Sequence, residues 1–157
     1  MLFNVATGYA LKALASMQDD GHYGMAKDFA GDLGLPAPFL AKILQNLVRA
    51  EILESVRGPK GGFRLARPAH RITVDEVVIA LEGHGALQGC VMGFAACDAN
   101  NPCPLHDAWS QVKTQVEASM TSMTLRDLQL TKLRRIEAHG PAAAKPAIKV
   151  RPKKKPR

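Results

Sequence analysis

Three cysteines and a histidine stand close together in a chain that has no other thiol: Cys90, Cys97, Cys103 and His106. The run between them, GCVMGFAACDANNPCPLH, is too rich in Gly and Asn to serve as core and reads as a polar loop. Thiolates are soft ligands and imidazole accompanies them readily, so such a group suits an iron–sulfur cluster or zinc. The spacing C-x6-C-x5-C-x2-H lacks the close C-x2-4-C and H-x3-5-H pairs of a zinc finger. Ligand types alone leave zinc and iron–sulfur equally open, and a thiol sensor without metal uses the same residues. His84 lies near enough to act as a substitute ligand. His22, His70 and His139 read as ordinary polar residues.

Those ligands need elements to position them, and the flanking sequence supplies a helical frame. Apolar spacing predicts helices from Val5 to Met17, from Met25 to Leu33 ending at Gly34, and from Pro36 to Ala50. The last two, joined by the tight Gly34-Leu35 turn, have a helix-turn-helix layout. Leu40, Ile43, Leu44 and Leu47 face inward on the third helix. Its outer face is expected to carry Ala37, Ala41, Lys42, Gln45, Asn46 and Arg49, with Gln and Asn suited to base edges and the cations to phosphate. Leu53–Arg57 and Phe63–Arg67 then read as strands around the turn Gly58-Pro59-Lys60-Gly61-Gly62. A helix-turn-helix followed by a hairpin is a winged helix. Arg57, Lys60, Gly61 and Arg64 fall on its wing, where cations reach a minor groove or backbone. Thr73 and Glu76 match a capping box, with Ile72 and Val77 as a staple, for a helix ending at Gly83.

After the cysteine loop, Leu105, Trp109, Val112, Val116, Met120 and Met123 recur at helical spacing. They predict a long helix with Trp109, Val112, Val116, Met120 and Met123 as a dimer seam. A further cap at Thr124 opens a short helix to about Ile136. The fold class is therefore mainly α with a small β-hairpin wing. Its parts are a winged helix-turn-helix domain (1–82), a cysteine-rich loop (83–104), a dimerisation helix with a short C-terminal helix (105–136), and a disordered basic tail (137–157).

Charge agrees with a nucleic-acid partner. Between Pro36 and Arg71 seven cations face two acids, a local net of +5. From Pro141 to Arg157 there are seven more cations and no acid; this tail can hold polyanions without sequence preference. No apolar run approaches the roughly 18 residues of a membrane span, and no secretory signal stands at the N-terminus. The expected location is the cytoplasm, where thiols stay reduced, with no membrane partner.

The opening ATGYALKAL, the block LPAPFLAKILQNLVRAEILESVRGPKGGFRLARP, the helix ITVDEVVIALEG and the three cysteines together resemble the Rrf2 family of bacterial winged-helix regulators, over about residues 1–136. The resemblance implies a homodimer bound to a pseudo-palindromic double-stranded DNA operator, with Cys90, Cys97 and Cys103 as iron–sulfur ligands. His106 falls where the IscR-like branch has a histidine ligand. The NsrR-like branch uses an acid in the first helix, a segment where this chain has Gly8 and no acid before Asp19. The opening of the third helix, Pro36-Ala37-Pro38, is less polar than is usual in the family. The function implied is a transcription regulator, read as a repressor, whose operator affinity follows a cluster that senses iron, redox state or nitric oxide. No nucleophile–base pair, phosphate loop or HExxH motif supports an enzyme. A small electron-transfer protein would explain the cysteines but leave the hairpin and basic face unused.

Overall fold

The computed structural model describes residues 3–139, with side chains as far as residue 134. Asn4 starts α1 (Val5–Leu14) by accepting a hydrogen bond from the Thr7 N–H at 2.9 Å. α2 (Ala26–Leu33) stops where Gly34 turns left-handed at φ 65°, and the Leu35 N–H closes that end on the Ala30 carbonyl. α3 (Ala37–Arg49) follows at once, with Pro38 in its first turn. Its buried stripe is the expected one: Leu40, Ile43, Leu44 and Leu47. α3 ends on an unusual residue. Glu51 takes φ 57°, so that the Ile52 N–H can bond the Leu47 carbonyl at 3.0 Å. A non-glycine residue rarely adopts that conformation, and nothing in the sequence announced it.

The wing is an antiparallel pair, β1 (Leu53–Val56) and β2 (Gly62–Leu65), with Glu54 opposite Arg64 and Ser55 opposite Phe63. Both strands are slightly shorter than expected. A third piece of backbone joins them: Gly24 exchanges two hydrogen bonds with Phe63, at 2.9 and 2.8 Å. Close backbone approaches explain the glycines. A Cβ on Gly62, whose φ is +142°, would lie 2.2 Å from the Gly24 oxygen, and one on Gly61 would lie 2.1 Å from the Val56 oxygen. A 3-10 turn at Ala69–Arg71 leads to α4 (Val74–Glu82), where the full Thr73/Glu76 capping box is present.

α5 (His106–Ser122) and α6 (Leu125–His139) complete the described residues. At 15 residues α6 is not a short helix, and it takes in residues 137–139, which the sequence assigned to the tail. The rest of the expected tail lies outside the described residues. The start of α6 is sewn to the start of α4: Leu125 N–H bonds the Ile72 carbonyl and Val74 N–H the Met123 carbonyl, both at 2.9 Å. Gln129 reaches the Met17 carbonyl and Lys132 the Ser16 hydroxyl, both at the end of α1.

One main core joins α1, α2, α3, both wing strands and Leu125. A smaller cluster of Val74, Val78, Leu87 and Met120, with Val116 against it, lies between α4 and α5. This corrects the dimer seam. Met120 is 7% exposed and faces its own domain, as Val116 does in part, because α4 offers them an apolar partner. The outward members are Val112 and Met123, joined by Leu105, and by Leu130 and Leu133 on α6.

Candidate functional site

Two groups of candidate residues stand out, and the first lies on the α3–wing surface. Lys42, Arg49, Arg57 and Lys60 are exposed and take part in no ion pair among the described residues. Gln45 and Asn46 are half-buried on the same side, and the Asn46 side-chain oxygen accepts a bond from Arg49 at 3.0 Å. Three of the expected contact residues have other neighbours within the fold. Ala37 packs against the core. Gly61 is buried, so its contribution is the shape of the turn. Arg64 is already engaged: Nε and Nη2 both donate to one Glu54 oxygen, at 3.0 and 2.7 Å, Nη1 donates to the Gly21 carbonyl, and the guanidinium lies 4.7 Å from the Tyr23 ring centroid. The bond to Glu54 raises the pKa of Arg64 above its ordinary value. Arg64 therefore positions the wing against the α1–α2 loop. The Glu54–Arg64 cross-strand register carried that information in the sequence, once the strands were aligned.

The second group is the cysteine loop. α5 holds both of its ends. Leu87 is 3% exposed in the small cluster, and Trp109 Nε1 donates to the Gly89 carbonyl at 2.9 Å, immediately before Cys90. At the other end the His106 N–H bonds the Cys103 carbonyl at 2.9 Å, so His106 becomes the first residue of α5. Between these anchors, Gly93 at φ 81° closes a turn onto the Cys90 carbonyl.

The three thiols are free, and all three, with His106, line one cavity of about 370 Å³. The Cys97 sulfur lies 3.5 Å from His106 Nδ1. What desolvation Cys90 has pushes its thiol up. The N–H groups of Met92, Phe94 and Gly93 and the Cys103 thiol outweigh that, and hold it below the ordinary thiol value. Stabilised sulfur anions are what a soft metal requires. The donor set thus fits an iron–sulfur cluster or zinc. The donors are gathered without being fully converged: no three potential ligands among the described residues sit together at metal-binding spacing. His84 is exposed and does not line the cavity.

The chain as a whole is similar to known proteins. A relative from Aquifex aeolicus is 30% identical over 131 residues, spanning 82% of this chain and 91% of its own. The transcriptional regulator IscR of Cronobacter sakazakii is 26% identical across 91% of this chain and 93% of its own. Among solved structures, T. potens IscR superposes with a TM-score of 0.64 at 25% identity, covering 87% of this chain and 89% of that one. The global cysteine regulator CymR of B. subtilis shares the fold, with a TM-score of 0.69 at 20% identity, covering 82% and 96%. Among the described residues no helix is long and apolar enough to cross a membrane. The sequence profile of the Rrf2 family, described as an iron-dependent transcriptional regulator, matches residues 3–130, and the chain belongs to that family of winged-helix, DNA-binding transcription regulators.

Proposed function

We propose that this regulator binds a pseudo-palindromic operator as a homodimer, and that its affinity for the operator is set by an iron–sulfur cluster held by Cys90, Cys97, Cys103 and His106. The observation that carries this reading is the meeting of three free thiols and one imidazole at a single cavity beside α5. A cluster bound there supplies one-electron chemistry and a labile corner at the histidine, the chemistry of a sensor. The chain's own part is mechanical. Cys90 and Cys103 stand at the two ends of the loop, and each end is tied to α5 by a hydrogen bond through Trp109 or His106. Drawing the thiols together therefore pulls on α5. Met120 and Val116 press α5 onto Val74 and Val78 of α4, and α4 belongs to the core that carries α3. A change in the loop thus reaches the reading helix through packed side chains.

The dimer reading rests on the outward apolar residues Val112 of α5, Leu105 and Met123 at its two ends, and Leu130 and Leu133 of α6. A C2 dimer repeats one reading helix per half-site, so the separation of the two α3 helices must match about one DNA turn.

Reconstitution with iron and sulfide under anaerobic conditions tests the site. Visible charge-transfer absorption, with bound iron and acid-labile sulfide, is expected in the wild type and is absent after any single Cys→Ala change. His106→Ala still forms the chromophore and loses it faster. Zinc alone, or oxidised thiols without metal, would replace the cluster by the zinc or thiol-sensing reading.

A further inference from the structure

The outer face of α3 has an apolar end for which the polar contacts above have no use. Helical spacing puts Pro38, Phe39, Lys42, Gln45, Asn46 and Arg49 away from the buried stripe. Phe39 is 45% exposed and belongs to neither apolar cluster. Its ring is nonetheless fixed. Tyr9 of α1 meets it edge to face, with centroids 6.3 Å apart and planes at 84°, and Lys12 lies over the same Tyr9 ring at 5.8 Å. An aromatic ring held in place but left in water is preorganised for contact.

Its surroundings say with what. Lys42 and Arg49 share its face, and Arg57 and Lys60 are exposed on the wing, so the partner is polyanionic on its outside. The reactive end of a recognition helix is its N-terminal part, which meets base edges. From Ala37 to Ala41 this helix offers no side chain able to hydrogen-bond. Duplex DNA has one apolar feature in its major groove, the C5 methyl of thymine, and a phenyl ring is among the groups that contact it. We infer that the first turn of α3 reads thymine methyl groups through Phe39, so that each operator half-site carries a thymine selected by apolar contact rather than by a hydrogen bond. This rests on the assignment of α3 as the reading helix.

The test uses the full chain and an operator selected from a random-sequence duplex pool. Each thymine of the half-site is replaced in turn by uracil, which removes the methyl and leaves the pairing edge intact. Affinity should fall about fourfold at one or two positions, the value of one buried methyl. At those positions 5-methylcytosine should bind more tightly than cytosine by a similar factor. In Phe39→Ala, checked for folding by thermal melting, the same uracil replacements should become silent while the other thymines behave as before. Wild-type binding indifferent to uracil at every position overturns the inference and leaves α3 as a reader of other groups. So does Phe39→Ala that still tells thymine from uracil. Failure to select any sequence removes the α3 assignment itself, and this inference with it.

Discussion

The winged body and the cysteine loop are built on opposite terms. In the body, Leu14, Leu40, Leu44, Leu47, Ile52 and Leu53 are almost wholly buried, and no buried side-chain oxygen or nitrogen among the described residues lacks a partner. In the loop, Val91, Met92 and Phe94 are half or more exposed, and no helix or strand forms between Gly83 and Leu105. Apolar burial at about 25 cal/mol per Å² holds the body. Far less holds the loop: Leu87 packs in the small cluster, and the Gln88–Glu117, Trp109–Gly89 and His106–Cys103 hydrogen bonds tie it to α5. The difference separates a well-packed body from a sparsely packed loop, and under the proposed function the loop is the part whose order a bound ligand would change.

The largest expected effect breaks the body alone. Leu44→Ala should lower unfolding stability by about 2–5 kcal/mol through the cavity it leaves. Cys97→Ala in metal-free protein should leave unfolding stability within about 0.5 kcal/mol of wild type. A large loss from the cysteine change would show that the loop is packed after all.

Next in size, Val112→Glu places a charge among the outward apolar residues of α5; if these form the proposed dimer interface, the variant should sediment as a monomer, at a cost of several kcal/mol if unpaired. Met120→Ala should instead destabilise the fold, because Met120 faces α4. A dimer that survives Val112→Glu would move the interface off this face.

The wing offers a finer comparison. Lys60→Ala should reduce the slope of log affinity against log salt by about 0.9, the signature of one lost phosphate contact. Arg64→Ala should change that slope less and loosen the wing, seen as faster hydrogen exchange at Phe63 and Gly24, since its guanidinium is bound to Glu54. Equal slope changes in the two variants would return Arg64 to the phosphate contacts.

The smallest effect concerns acid. Partial burial pushes the Glu76 carboxyl up, but the Thr73 N–H and the Arg67 guanidinium outweigh it and hold the group below its ordinary value. A carboxylate held low in the folded state stabilises the fold above its unfolded pKa, and that part is lost as pH falls through the folded value. Glu76→Gln should therefore flatten the acid limb of a stability–pH curve, and an unchanged limb would place the acid sensitivity elsewhere.

Local signals were the ones legible in the sequence. The Thr73/Glu76 box, the Gly34 break and the GPKGG turn each act within a few residues, so composition and spacing reveal them. The three cysteines were conspicuous because the chain has no others. What escaped depends on partners distant in sequence. Met120 faces inward because α4 and Leu87 wait there, and periodicity gives a stripe without saying what covers it. Gly24 joins the wing by a single bridge only because Phe63 reaches it, and Glu51 turns left-handed just before β1. The gathering of Cys90, Cys97, Cys103 and His106 at one cavity was likewise beyond spacing, since the 15 residues between Cys90 and His106 can close in many ways.

The central claim is that the cysteine site governs the reading of DNA, and a single titration addresses it. Operator affinity is measured at one salt concentration for anaerobically reconstituted protein and for the same preparation stripped by chelation, beside Cys97→Ala treated identically. If the loop is coupled to α3 through α5 and α4, the two wild-type forms differ by about 5- to 150-fold, and the Cys97→Ala preparations coincide with the stripped form. Equal affinity in the two wild-type forms, with the cluster verified in one of them, would contradict the claim.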